Sequence, residues 1–396
     1  VEIRPKFSLA LLSLGDLLLK TERPNQAFQC GLKILQSQNN FTHPRLNRIF
    51  IKLLLAHSNP KKSQEALQKL IEQIENSTSK PGLKAPIYRS IGERLQWQDR
   101  ILEGIDFYKK STYYRLKALK PEYVDRYWEL GKFQEPDFLI IGFGKCGTSA
   151  FYDYLCQHPQ VLPAMTKETG YLHWLAKKNN YFDKQDWSLL GPEKDLYLAH
   201  FAPRPEGSHF VTGEASTTNF VPGVEKIISS WFPKVKLIAL LREPVKRTIS
   251  HYEQVLNMKI PQNRSLEEVI NSELEELEAT TNLSQTLVEK LRRNWKEHIA
   301  MSLYVYPLER WMNLFPREQF LILTNEDLAQ YPKETMKQAF DFLGLPECDS
   351  IEYHPKHVGS YPQADPELLS RLSNFFRPHN QRLEEFLGRK FGWDDK

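Results

Sequence analysis

Cysteine is scarce in this chain: Cys30, Cys146, Cys156 and Cys348 are the only thiols in 396 residues. Four scattered cysteines make neither a disulfide framework nor a cysteine-based metal centre, so they read as free thiols. Long apolar runs are missing too. None reaches the roughly 18 residues that a membrane-spanning helix needs. The richest stretch, Leu9 to Leu19, contains Asp16 and reads as a core helix rather than a signal sequence. Charge of one sign is not in excess: 53 Lys and Arg against 49 Asp and Glu leave +4. That is too little to argue for nucleic acid, although it suits an anionic ligand. No cluster of metal-ligating residues stands out, and no metal is expected.

What is present divides into two parts. The length is enough for two domains, and 41% hydrophobic with 26% charged residues is an ordinary globular composition. Residues 1–134 read as nearly all helix. A repeat is visible there: Leu14-Gly15, Leu53-Leu54 and Ile91-Gly92 recur at intervals of 39 and 38 residues, followed at a constant distance by Ala27, Ala66 and Gly104. The period is close to helix–turn–helix repeats of tetratricopeptide type, with an irregular helical bundle as the alternative. Such an array points to binding a protein partner or to self-association rather than to chemistry.

After Gln134-Glu135-Pro136 the pattern becomes strand, loop, helix. Apolar strands are expected at Phe138–Ile141, Phe210–Glu214, Val235–Leu241 and Phe320–Thr324. Helices are expected at 148–157, 222–232, 244–257, 265–277, 284–299, 301–315, 332–343 and 366–387. Buried strands alternating with helices imply an α/β domain over 135–396, a parallel sheet sandwiched by helices with ligands at the strands' carboxyl ends.

Two of those ends carry chemistry. The first strand runs into Gly142-Phe-Gly144-Lys145-Cys146-Gly147, and Thr148-Ser149 open a helix. Glycines let a backbone approach an anion, helix-terminal amides point at it, and lysine adds a full charge. The Lys precedes the last Gly, so this is not the standard nucleoside-triphosphatase loop. The third of the expected strands is followed by Arg242-Glu-Pro244, Arg247 and Ser250-His-Tyr252. Arg242, Arg247 and Ser250 near that helix start suit a second phosphate. Two anion sites fit a nucleotide with phosphates at both ends of its ribose.

This pair of segments resembles the two loops of sulfotransferases that use 3'-phosphoadenosine 5'-phosphosulfate (PAPS). The resemblance runs from about Pro136 to Asp394 and leans toward the glycosaminoglycan branch. Supporting segments are Lys167-Glu168 before Tyr171-Leu-His173-Trp174, Gly213-Glu214, Ser302-Leu-Tyr304, and Tyr361 to Pro366. It implies the P-loop-like sulfotransferase fold and PAPS as donor. Lys145, Cys146, Gly147, Thr148 and Ser149 would hold the 5'-phosphosulfate, and Arg242 with Ser250 the 3'-phosphate. Lys356, His357 and Gly359 would stand in for a loop that closes over the donor. Glu168 is expected as the general base of an in-line displacement, with Lys145 on the leaving phosphate and His173 as second choice for the base. Lys167 and Glu214 are expected on the acceptor side. Taken alone, Lys167-Glu168 is a surface ion pair and His173 a packing residue.

Relatives in this branch carry a His where Gly170 stands and a Lys where Ala215 stands, which leaves the acceptor open. A carbohydrate hydroxyl leads, then an amine. A lipid, small-metabolite or tyrosine acceptor is the second reading, and a helical scaffold with a degenerate nucleotide-binding domain the third. The compartment expected is the cytoplasm, or the Golgi lumen if an N-terminal anchor has been removed.

Overall fold

Proline opens helix after helix in this protein. Pro5, Pro24, Pro44, Pro60, Pro81, Pro121, Pro244, Pro332 and Pro366 are all first residues of helices. The ring presets a helical φ and lacks an N–H that would have no partner in the first turn anyway. The computed structural model describes residues 5–36, 44–77, 80–178, 191–258, 264–293, 297–354 and 365–394.

The chain divides into two units, Val1–Gln134 with Leu190–Ser208, and Glu135–Leu189 with His209–Lys396. In the first, helices follow in twos, Pro5–Lys20 then Pro24–Gln36, Pro44–Leu54 then Pro60–Asn76, and Pro81–Trp97 then Ile101–Leu119. The first and third twos pack closely, whereas Pro44–Leu54 packs chiefly on Pro24–Gln36 and Pro81–Trp97. First helices start at 5, 44 and 81, steps of 39 and 37, so the repeat seen in sequence marks one helix pair per period. Its small residues permit close packing: a Cβ on Gly92 would fall 2.7 Å from the Tyr108 ring. The boundary drawn at 134/135 misses a return of the chain. Residues 191–204 pack on the helical unit, where Thr112 Oγ1 donates to Ala199 O at 2.7 Å and Tyr123 OH to Pro203 O at 2.6 Å. Lys132 and Arg204 exchange backbone hydrogen bonds.

In the second unit five strands form one parallel sheet among the described residues: β1 (Phe138–Gly142), β2 (Val161–Pro163), β3 (Val211–Glu214), β4 (Lys236–Leu241) and β5 (Phe320–Thr324). The order is β2-β3-β1-β4-β5. Every residue of β1 is buried, and all of β4 but Lys236, as befits strands covered on both faces. β2 went unread because three residues ending in Pro163 carry too little periodicity. Of the helix expected at 284–299, Leu283–Arg293 is helical, 294–296 lie outside the described residues and 297–299 are not α-helical. That expected at 301–315 is a 3-10 turn, Ala300–Ser302, followed by a helix Val305–Met312.

The order of strands places the site. From β1 the chain leaves toward β2, and from β4 toward β5 on the opposite side. Loops that part in opposite directions open a crevice at the carboxyl ends of β1 and β4. The two cationic segments sit on its two sides.

Candidate active site

The loop after β1 adopts a conformation that most residues avoid. Lys145 has φ of +73° and Gly147 of +86°. A left-handed lysine costs about 1–2 kcal/mol relative to ordinary backbone, so the site keeps a charge where glycine would be easier. Gly147 is required twice over, since a Cβ there would also meet Asn325 Nδ2 at 2.6 Å. Gly147 caps the helix Thr148–Gln157 with no side-chain cap and no acidic residue in its first turn. Its terminal amides are therefore left for an anion.

The second segment is built differently. Glu243 caps the helix Pro244–Asn257, accepting from Val245 N at 2.7 Å and Lys246 N at 2.9 Å. Its helix terminus is already occupied by a carboxylate, so a phosphate there depends on side chains, with Arg242 half-buried and Lys246 exposed as the cations at hand. Arg242 Nη1 donates to Lys145 O at 3.2 Å, joining the two loops directly.

Arg247 corrects the expectation that it faces a phosphate. It is fully buried, and Nε donates to Gly144 O at 3.0 Å while Nη1 donates to His298 O at 2.9 Å. It braces the donor loop from beneath. Cys146 is also turned inward: its thiol lies 3.8 Å from Gly144 O and 3.7 Å from the Tyr304 hydroxyl. Burial pushes that thiol up to about 11, so it is a packing group, not a thiolate. Only its backbone is left to serve a donor. Ser250 is buried as well.

Tyr304 is the residue that sequence reasoning underused. Its hydroxyl donates to Arg242 O at 2.8 Å, and its ring meets that of Phe143 edge-on at 4.7 Å. One buried phenol thus supports both loops. Asn325 and Glu326 were missed outright, although they follow β5 immediately, where ligand-facing groups gather. Glu326 Oε1 accepts from Glu243 N at 3.0 Å.

Glu168 lies on the loop between β2 and the helix Tyr171–Lys178, half exposed, and accepts from Lys167 Nζ at 2.6 Å. The same ammonium reaches Thr148 Oγ1 at 3.4 Å, linking the carboxylate to the start of the donor-loop helix. Beside it, a Cβ on Gly170 would meet nothing within 4 Å among the described residues. His173 is not equivalent to Glu168. It is largely buried, Nδ1 has no hydrogen-bond partner among the described residues, and burial with Lys177 nearby holds it down at about 4. Glu214, expected against the acceptor, is completely buried and cannot touch a large one. Lys356, His357 and Gly359 lie outside the described residues.

Buried histidines give this unit a pH dependence. Burial first, then Arg247, lowers His298 to about 4. His251, whose Nδ1 is 2.8 Å from His298 Nδ1, is driven below its ordinary value by burial, Arg247, His298 and Lys145. A histidine depressed in the folded state protonates first in the unfolded chain, so its stabilisation is present above about 6.5 and lost toward 4. Glu273 opposes this: burial raises it to about 7, and its share of stability is lost as pH rises from 4.5 through 7. His379 is also held down at about 4, by burial and Arg382. With His173, His251, His298 and His379 against one carboxylate, unfolding free energy is expected to fall by several kcal/mol between about pH 7 and pH 4.5. Urea denaturation at the two pH values measures it, and a midpoint unchanged or higher at pH 4.5 would refute it.

The fold is an α/β protein whose parallel sheet carries a glycine–lysine loop after β1 and an arginine after β4, the two joined at its switch point by the Arg242–Lys145 hydrogen bond. The chain belongs to the sulfotransferase family: residues 135–358 match the sulfotransferase domain. It is 24% identical over 335 residues to membrane-associated sulfotransferase kil1 of Dictyostelium discoideum, covering 66% of this chain and 67% of that protein. It is 28% identical over 294 residues to mouse heparan sulfate glucosamine 3-O-sulfotransferase 3B1, covering 67% and 66%. The chain thus spans about two thirds of these relatives. A crystal structure of a sulfotransferase from Alicyclobacillus acidocaldarius aligns over 66% of this chain and all of that one, at 24% identity and TM-score 0.49. Among the described residues no helix is long and apolar enough to cross a membrane.

Proposed function

We propose that the protein transfers a sulfuryl group from PAPS to a carbohydrate hydroxyl, with Glu168 as general base. The observation that carries this is the chain Glu168–Lys167–Thr148, which sets an accessible carboxylate beside the donor loop. The residues present fit the donor: an uncapped helix start with Lys145 for one phosphate end, and Arg242 across the crevice for the other. The donor supplies an activated sulfuryl group on a phosphate leaving group. Lys145 and the Gly147, Thr148 and Ser149 amides neutralise charge that grows on the phosphate oxygens, at no cost in reorganisation. Glu168 takes the acceptor proton, and the open space at Gly170 admits the acceptor. Relatives named for heparan sulfate and carbohydrate sulfation support a glycan.

Thermal-shift titration tests the donor half. 3',5'-Adenosine bisphosphate is expected to stabilise the protein without magnesium, by about 2.7 kcal/mol at a hundredfold excess over Kd, and ATP much less. Arg242→Ala is expected to abolish that shift; a shift retained in full would remove Arg242 from the site. Labelled PAPS offered with glycans, phenols and lipids tests the acceptor half. Label appearing only in the phenol or lipid fraction would reassign the acceptor.

A further inference from the structure

We propose that Glu214 is a positioning residue that fixes the backbone on which Glu168 stands and so aims that carboxylate at the acceptor. The inference rests on the reading of Glu168 as the base.

The clamp is built from the end of β3. Glu214 is completely buried. Its Oε2 accepts from Thr169 N at 2.9 Å and from Ser216 Oγ at 2.5 Å, and Oε1 accepts from Asn219 Nδ2 at 3.3 Å. Its neighbours hold the same loop. Ala215 N donates to Lys167 O at 2.8 Å, and Gly170 N donates to Ser216 Oγ at 3.1 Å. Residues 167, 169 and 170 are therefore pinned to 214–216, while the side chain between them, Glu168, projects half exposed. A donor on one side, Ala215 N, and an acceptor on the other, the Glu214 carboxylate, fix the Cα of Glu168 and the direction of its side chain. General-base work needs that fixity, because a carboxylate displaced by about 1 Å loses its hydrogen bond to the reacting hydroxyl. Burial of a carboxylate this deep is tolerated only because several donors converge on it.

Asn219 makes the conservative variant informative. Among the described residues its Oδ1 is buried without a partner, so an amide flip lets Asn219 accept from the new NH2 of Glu214→Gln. That variant keeps one oxygen for Thr169 N and is expected to retain kcat within about threefold. Glu214→Leu keeps the volume and removes every acceptor. It is expected to lose about 10- to 100-fold in kcat, with acceptor KM and bisphosphate affinity within about twofold. Amide exchange at Thr169 is expected to rise by at least about tenfold. In a Glu168→Ala background Glu214→Leu should cost nothing more, because both changes act through one group.

A Leu variant with unchanged kcat, an additive loss in the double variant, or bisphosphate affinity falling in step with kcat would overturn the proposal. So would a Gln variant as damaged as the Leu variant. If Glu168→Ala keeps full turnover, the base reading fails, and so does the aiming role. Thr169 exchange then still reports whether the clamp exists. Should Glu214→Leu not fold, Ser216→Ala releases the Gly170 amide while leaving Glu214 in place. It is expected to cut kcat about three- to tenfold at unchanged donor affinity, and unchanged kcat would overturn the proposal.

Discussion

Glu168→Ala is expected to lower kcat by about 10²–10⁴-fold while 3',5'-adenosine bisphosphate binds as tightly as before. The separation follows from geometry. On the proposed reading the donor is held by the loop 143–149 and by Arg242, whereas among the described residues Glu168 is linked to that loop through Lys167. Half exposed on a loop, it contributes little to the core, so the variant should unfold at the same temperature within a degree or two. Single-turnover kinetics with pre-bound donor isolates the chemical step. A burst of normal rate would move the proton-accepting role elsewhere. His173 is a poor heir, because a group held at about 4 by burial is a weak proton acceptor.

Lys145→Ala is expected to cost about 10²–10³-fold in kcat, the scale of removing one preorganised charge-stabilising donor. Its effect on stability should be small, since alanine at φ +73° is no more comfortable than lysine. Lys145→Gly separates the two quantities. It loses the same ammonium, yet relieves a left-handed backbone, and is expected to unfold about 1 kcal/mol harder. Chemical denaturation of both variants alongside turnover checks this. A glycine variant no more stable than wild type would show that the loop conformation carries no strain, and one with normal turnover would remove the lysine from catalysis. The expected pattern, more stable and less active, is what a functional residue held in an unfavourable conformation should give.

Much of the second unit was legible. Phe138 to Ile141 is an unbroken apolar run ending in glycine, and the helix starting at Thr148 and the helix starting at Pro244 were read with their observed bounds. Those signals are local: a buried strand needs apolar residues, a tight turn needs glycine, and proline prefers a first helical turn. The helical character and the spacing of the first unit were legible too, since first helices start at 5, 44 and 81. The return of 191–204 to the helical unit was not, since nothing near Ala199 or Pro203 records that its carbonyls are satisfied by Thr112 and Tyr123.

The division is sharpest inside the site. Residue order alone determined which side chains stand on the two loops, because strand, turn and helix start are written in consecutive positions. It could not say which way they turn. Arg242 and Arg247 are five residues apart, yet one faces the crevice and the other spends its donors on Gly144, 103 positions away, and on His298. Glu168 and Glu214 were both placed beside the acceptor, and only folding made one accessible and the other a buried anchor. A carboxylate becomes a base or a brace according to the donors that reach it, and those donors arrive from distant strands when the sheet assembles.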